Sequence, residues 1–138
     1  MIEINFGALW YSKGAQGNEF FSINGRKSNF QVKEFACKDG SDAILIDAEL
    51  VEKLQAMRER IGRALIVNSG YRTPEYNKKV GGVDNSQHCQ GKAADVTANG
   101  IKPDVLFEIA KQVGFRGIGL YNWGVHVDTR EKKSTWKG

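Results

Sequence analysis

The chain contains two histidines, and neither lies on an amphipathic helix pattern. His88 stands in NSQHCQGKAAD and His126 in YNWGVHVDTR. Asp95 follows His88 after Gly91 and a run of small residues that can turn sharply. It falls inside the apolar run KAADV, where a bare carboxylate would be costly to bury. A cation beside it removes that cost. Two histidines and one carboxylate form a ligand set for a catalytic zinc ion. Structural zinc sites usually have four protein ligands, whereas catalytic ones have three and leave a position open for water or substrate. Zinc so held lowers the pKa of its water toward about 7 and polarises a carbonyl. The sequence holds no HExxH, so a zincin helix is excluded.

The flanking sequence must place these groups. In VHVDT (125–129) side chains alternate between faces, so His126 and Asp128 share one side and Val125 and Val127 the other. GIGLY (117–121) reads as a partner strand, joined to it by a tight turn around Asn122, Trp123 and Gly124. KAADVTA (92–98) reads as a third strand. ALIVN (64–68), apolar and β-branched, reads as a buried strand, followed by a loop, SGYRTPEYN (69–77). Pro74 suits the first turn of a short helix over Glu75 to Val80, and residues 83–91 read as loop. A longer helix begins at an N-cap Asp47, buries Leu50, Val51, Leu54, Met57 and Ile61, and ends at Gly62. Another starts near Pro103, buries Leu106, Ile109, Ala110 and Val113, and closes at Gly114.

Upstream, FFSI (20–23) and FQVKEF (30–35) read as strands or extended segments, and CKDGSD (37–42) as a turn. Residues 1–29 read as a lead-in segment, and EKKSTWKG as a polar tail apart from Trp136. Helices and strands mix without βαβ alternation. The expectation is therefore one α+β domain over 1–138, with a mostly antiparallel sheet carrying the site and two main helices flanking it.

Bulk composition narrows the function classes. A hydrophobic share of 41% and a charged share of 26% suit a globular domain with its own core. No apolar run approaches the roughly 18 residues of a membrane helix, so membrane insertion is not expected. The N-terminus lacks a basic start followed by an apolar stretch, which predicts cytoplasmic synthesis without a signal peptide. The net charge is +4, from 20 basic and 16 acidic residues, and the basic ones are scattered. That disfavours nucleic acid as a partner and suits approach to an anionic cell wall. Cys37 and Cys89 form no CxxC pair and are expected as free thiols. A monomer is expected.

Three blocks, SGYRTPEYN, GGVDNSQHCQGKAAD and GVHVDTR, resemble the M15 peptidases. These are the D-Ala-D-Ala carboxypeptidase group, and the likeness is to the branch with phage endolysins and murein endopeptidases. That family carries SxHxxGxAxD followed much later by a histidine on a strand. Ser86 to Asp95 match the first pattern in full, and the resemblance covers about residues 30–130. It implies a small α+β zinc fold similar to the hedgehog and lysostaphin-type domains, acting at the cell wall, as a phage or prophage lysin would.

The resemblance also implies roles. His88, Asp95 and His126 would hold one Zn2+. Arg72 would stabilise the oxyanion, for which a permanently charged fork of donors is well suited. Ser86 and Gln87 would order the loop and touch substrate. Tyr121 and Trp123 would line the substrate groove or cap the core. Several members place an acid or histidine three residues before the last ligand, as general base; here that position is Trp123. Asp128 is the nearest alternative, either as base or as a carboxylate orienting a histidine. Cys89 as a fourth ligand would close the site, and a packed thiol is the preferred reading. The expected function is zinc-dependent hydrolysis of peptidoglycan peptides containing D-amino acids. The alternative is a non-catalytic zinc module that recognises cell-wall peptide.

Overall fold

A computed structural model describes all 138 residues. Near the N-terminus lie β1 (Ile2–Ile4), β2 (Ala8–Ser12), α1 (Lys13–Gln16), β3 (Phe20–Ile23) and β4 (Arg26–Gln31). Then come β5 (Ala43–Asp47), α2 (Ala48–Ile61), β6 (Ile66–Ser69), α3 (Pro74–Lys79) and β7 (Ala93–Thr97). α4 (Pro103–Val113), β8 (Gly117–Leu120), β9 (Val125–Asp128) and β10 (Ser134–Lys137) complete the chain. Single 3-10 turns occupy Val32–Phe35 and Gln87–Gln90.

The main sheet runs β10-β8-β9-β7-β6. All of its pairings are antiparallel except β8 with β10. A three-stranded sheet, β1-β3-β4, and a ribbon, β2-β5, stand beside it. The class is α+β. One face of the central strands is wholly apolar: Ala94, Val96, Val125 and Val127 are fully buried. α4 covers this face at β8 and β9 with Leu106, Phe107 and Ala110, while α2 packs on α4, β4 and β5. Gly62 and Gly114 end these helices in the left-handed conformation, as glycine C-caps do. The opposite face of the strands is left for polar groups, and the site lies there.

Several expectations need correction. ALIVN gives an edge strand, β6, shifted to Ile66–Ser69, and Ile66 stays 39% exposed. Only one neighbour, β7, pairs with it. FQVKEF is strand only to Gln31; residues 32–35 coil into a 3-10 turn that buries Val32 and Phe35. Residues 1–29 belong to the same core, to which they give Ile4, Tyr11 and Phe21. Asp47 stands at the N-cap of α2, but its side chain makes no cap bond. It accepts the Thr129 hydroxyl at 2.8 Å instead. The loop 83–91 contains the Gln87–Gln90 turn, and the polar tail supplies β10.

One ion pair ties α2 to the end of β9. Arg116 donates to both Glu49 oxygens, at 2.7 and 2.8 Å, and also to the carbonyls of Thr129 and Arg130. Arg116, helped by Lys53, holds the Glu49 carboxyl down to about 2 against the opposing effect of burial. A depressed carboxylate adds stability that is full above its unfolded pKa and is lost as pH falls through the folded value. The contribution should therefore disappear between about pH 4.5 and pH 2. The pair is partly exposed, so solvent screening limits it to about 1 kcal/mol. Glu49→Gln should lose that amount at pH 7 in urea unfolding and differ little from the unmodified protein at pH 2.

Candidate metal centre

Register lines the site up across the main sheet. Asp95 on β7 is paired with Ser69 on β6 and His126 on β9, His126 with Gly119 on β8, and Gly119 with Trp136 on β10. Directly paired residues share a sheet face, so one row carries the carboxylate, a histidine and an aromatic. His88 reaches the row from outside the sheet, on the Gln87–Gln90 turn. That turn starts at Ser86, whose hydroxyl accepts His88 N–H at 3.2 Å. It ends at Gly91, whose φ of +72° is left-handed. A Cβ there would also overlap the Leu45 backbone. The glycine of the SxHxxGxAxD block thus lets the turn pack on β5 and aims His88 inward.

Three ligand atoms converge. Asp95 Oδ1 lies 3.3 Å from His88 Nε2 and 3.0 Å from His126 Nδ1, and all three atoms fall within 4.8 Å of one another. Ligands of a tetrahedral zinc at 2.0–2.1 Å stand about 3.3 Å apart, so the set fits that ion. The outer nitrogens fix the ring orientations. His88 Nδ1 lies 2.7 Å from the Gly70 carbonyl. A carbonyl only accepts, so Nδ1 carries the proton and Nε2 offers a lone pair. His126 Nε2 lies 2.7 Å from Asp128 Oδ2, and a carboxylate there likewise keeps the proton on Nε2. No further His, Cys, Asp or Glu joins the cluster. Cys37 and Cys89 are free thiols outside it.

Electrostatics follow from this crowding. Burial acts to raise the Asp95 carboxyl, but His126 and His88 outweigh it and hold Asp95 well below the usual range. Burial acts to lower His126, but Asp128 and Asp95 outweigh it, so its pKa stands above that of an ordinary imidazole. Metal binding needs both imidazoles neutral and the carboxylate ionised, so a divalent cation would compete with any proton held between His126 and Asp95.

The centre forms the floor of an open cleft of about 430 Å³, walled by Arg72, Ser86, Gln87, Tyr121, Trp123, Arg130 and Trp136. Arg72 donates to Ser69 Oγ at 3.2 Å, and to Asn77 Oδ1 and the outer Asp95 oxygen at 3.3 Å. Gln87 Oε1 is buried without a hydrogen-bond partner. Tyr121 and Trp123 stack, centroids 5.1 Å apart, with Trp123 46% exposed. A second depression, between β3–β4 and α2, is lined by Arg26, Lys27, Glu52 and Glu59 and gathers no comparable set.

Asp128 is the candidate that the structure keeps out of the cleft. It is fully buried and reaches the site only through His126. Its other bonds come from Arg130, which donates from Nε at 2.8 Å, from Nη2 at 2.6 Å and from its backbone N–H at 3.1 Å. Burial would raise Asp128, but Arg130 and His126 hold it well below the usual carboxylate range. Arg130 and Trp136 escaped sequence reasoning. The alternation that pairs His126 with Asp128 runs on to Arg130, so one signal was present. Trp136 gave none, because β10 pairs in parallel with β8, from which β9 separates it along the chain.

The family model described as Peptidase M15 matches residues 27–128. The chain is 42% identical over 67 residues to a zinc D-Ala-D-Ala carboxypeptidase of Streptomyces albus G. The match covers 48% of this chain and 26% of that relative, so the chain aligns with about a quarter of the relative's length.

Proposed function

The chain belongs to the peptidase M15 family, and from that premise we propose that it is a zinc-dependent peptidase acting on peptide bonds of bacterial peptidoglycan. The carrying observation is the convergence of His88 Nε2, Asp95 Oδ1 and His126 Nδ1 on the floor of an open cleft. The substrate class rests on the relative, whose name states D-Ala-D-Ala carboxypeptidase. Zinc held by these three residues would polarise the scissile carbonyl and acidify water.

The chain's own groups do the rest. Arg72 fixes the outer oxygen of Asp95 and keeps N–H groups toward the cleft, where charge develops on the carbonyl oxygen. Gln87 lines the cleft beside the metal ligands, with its Oε1 buried and unpaired. Tyr121 and Trp123 offer a flat apolar wall for the peptide. Asp128 holds the His126 ring and is a positioning residue. Arg72→Ala should bind zinc roughly 10- to 100-fold more weakly, because Asp95 loses the partner of its outer oxygen. At saturating zinc it should still lose turnover by on the order of 10²- to 10³-fold, the loss seen when one oxyanion donor is removed. Zinc content measured beside kcat checks this.

A non-catalytic wall-peptide module is the second reading. It is favoured by one observation: Asp95 is the sole carboxylate in the cleft wall. Zymography on cell walls decides between them. Clearing that a chelator abolishes and zinc restores is expected. A zinc-loaded protein that clears no wall and shortens no stem peptide would overturn the peptidase reading.

A further inference from the structure

Arg130 spends only one edge of its guanidinium. The Nε and Nη2 donors go to Asp128, and Nη1 has no acceptor in the chain. A guanidinium carries five N–H donors in a planar fork. The Nη1–Nη2 edge is therefore left, and the side chain lines the cleft with 29% of its surface exposed. Arg72 is more committed: each of its three nitrogens has a partner in the chain, which leaves it single N–H groups but no free edge.

The free edge is held in place. The Arg130 guanidinium carbon lies 5.0 Å from the centroid of the Trp136 ring, within cation–π range. Trp136 is fixed in turn, its indole N–H donating to the Tyr121 hydroxyl at 2.7 Å. β8 clears space for this assembly. A Cβ at Gly117 would overlap Asp128 and Arg130, and one at Gly119 would overlap Trp136 and Tyr121. The charges also suit an anion, since Arg72 offsets Asp95 and Arg130 offsets Asp128, leaving no spare negative charge in the cleft wall.

We infer that Arg130 is a substrate-binding residue that takes a free carboxylate of the peptide through its Nη1–Nη2 edge. This rests on the peptidase reading above. A planar fork matches a carboxylate with two parallel hydrogen bonds, and the Trp136 and Tyr121 rings beside it reduce competition from water. Such a carboxylate has two sources: the terminus of the peptide, or a side chain of an internal residue. The first sets a carboxypeptidase register and the second an endopeptidase one.

The test is a ratio of kcat/KM values on the zinc-loaded full chain. One peptide pair ends in D-Ala-D-Ala as free acid or as C-terminal amide. The other carries an internal D-glutamate or its D-glutamine counterpart. The unmodified protein should prefer the acid of one pair by on the order of ten- to a hundredfold, and the pair that responds identifies the source. Arg130→Gln should bring that ratio close to one. Because Arg130 also supports Asp128, the variant is expected to bind zinc more weakly and cleave every peptide more slowly; the ratio is insensitive to that loss. If the glutamine variant does not fold, Arg130→Lys keeps the charge, lacks the fork, and should show a reduced ratio. A ratio that survives substitution makes Arg130 structural and overturns the inference, as does an unmodified protein that shows no preference in either pair. Both of those results leave the peptidase reading standing. Cleavage of none of the four peptides removes the peptidase reading and this inference together.

Discussion

Asp95→Asn should leave the folded protein without its metal and take hydrolysis to background. The substitution keeps the side chain's shape and removes its charge. Asp95 Oδ1 is the atom both histidines approach, at 3.3 and 3.0 Å, and its other oxygen is gripped by Arg72. An amide placed there offers one neutral oxygen, and its NH₂ group must face either the metal or the Arg72 guanidinium. Outer partners of metal ligands cost roughly 10- to 100-fold in affinity when removed. Loss of a ligand that also supplies the negative charge should cost more than about 100-fold. Chelator competition with zinc measures this directly. The metal-free variant should unfold cooperatively, because the apolar face of Ala94, Val96, Val125 and Val127 is untouched. His88→Ala and His126→Ala should behave alike. A variant that folds, holds one zinc as tightly as the unmodified chain and still hydrolyses peptide would remove Asp95 from the ligand set.

The sequence made some of this legible and hid the rest for physical reasons. α2 and α4 are long enough for periodicity to show, and glycine marks both ends. β7 and β9 show because each interleaves chemistry with buried small or branched residues. β1 has only three residues, β2 is exposed along most of its length, and β5 is a nearly continuous apolar run, so none of them shows a clear alternation. β10 is legible only once β8 is in place, since a parallel pairing leaves no hairpin signal. The clustering of His88, Asp95 and His126 was legible from residue types, spacing and the SxHxxGxAxD resemblance together. What Asp128 does was not, because base and orienting carboxylate demand the same residue on the same strand face. They differ only in whether the carboxylate reaches the cleft, and that is decided by Arg130 and the space at Gly117.

Asp128→Asn separates the two roles. Asp128 is fully buried and accepts from four donors: the Arg130 backbone N–H and Nε at Oδ1, and Arg130 Nη2 and His126 Nε2 at Oδ2. An asparagine must turn its NH₂ toward one of these pairs, and no water can enter to relieve the donor–donor contact. Leaving buried donors unpaired costs about 1–3 kcal/mol. The strain is expected to fall on the His126 ring, with zinc affinity down roughly 10- to 100-fold and turnover largely regained when zinc is added in excess. A general base gives the opposite signature: its loss leaves zinc in place and lowers kcat by roughly 10²- to 10⁴-fold at saturating metal. Full zinc occupancy combined with such a fall would return Asp128 to the chemistry despite its burial. Affinity loss that zinc repairs would leave a three-ligand centre in which both ring orientations are set from behind, His88 by the Gly70 carbonyl and His126 by a carboxylate clamped to Arg130.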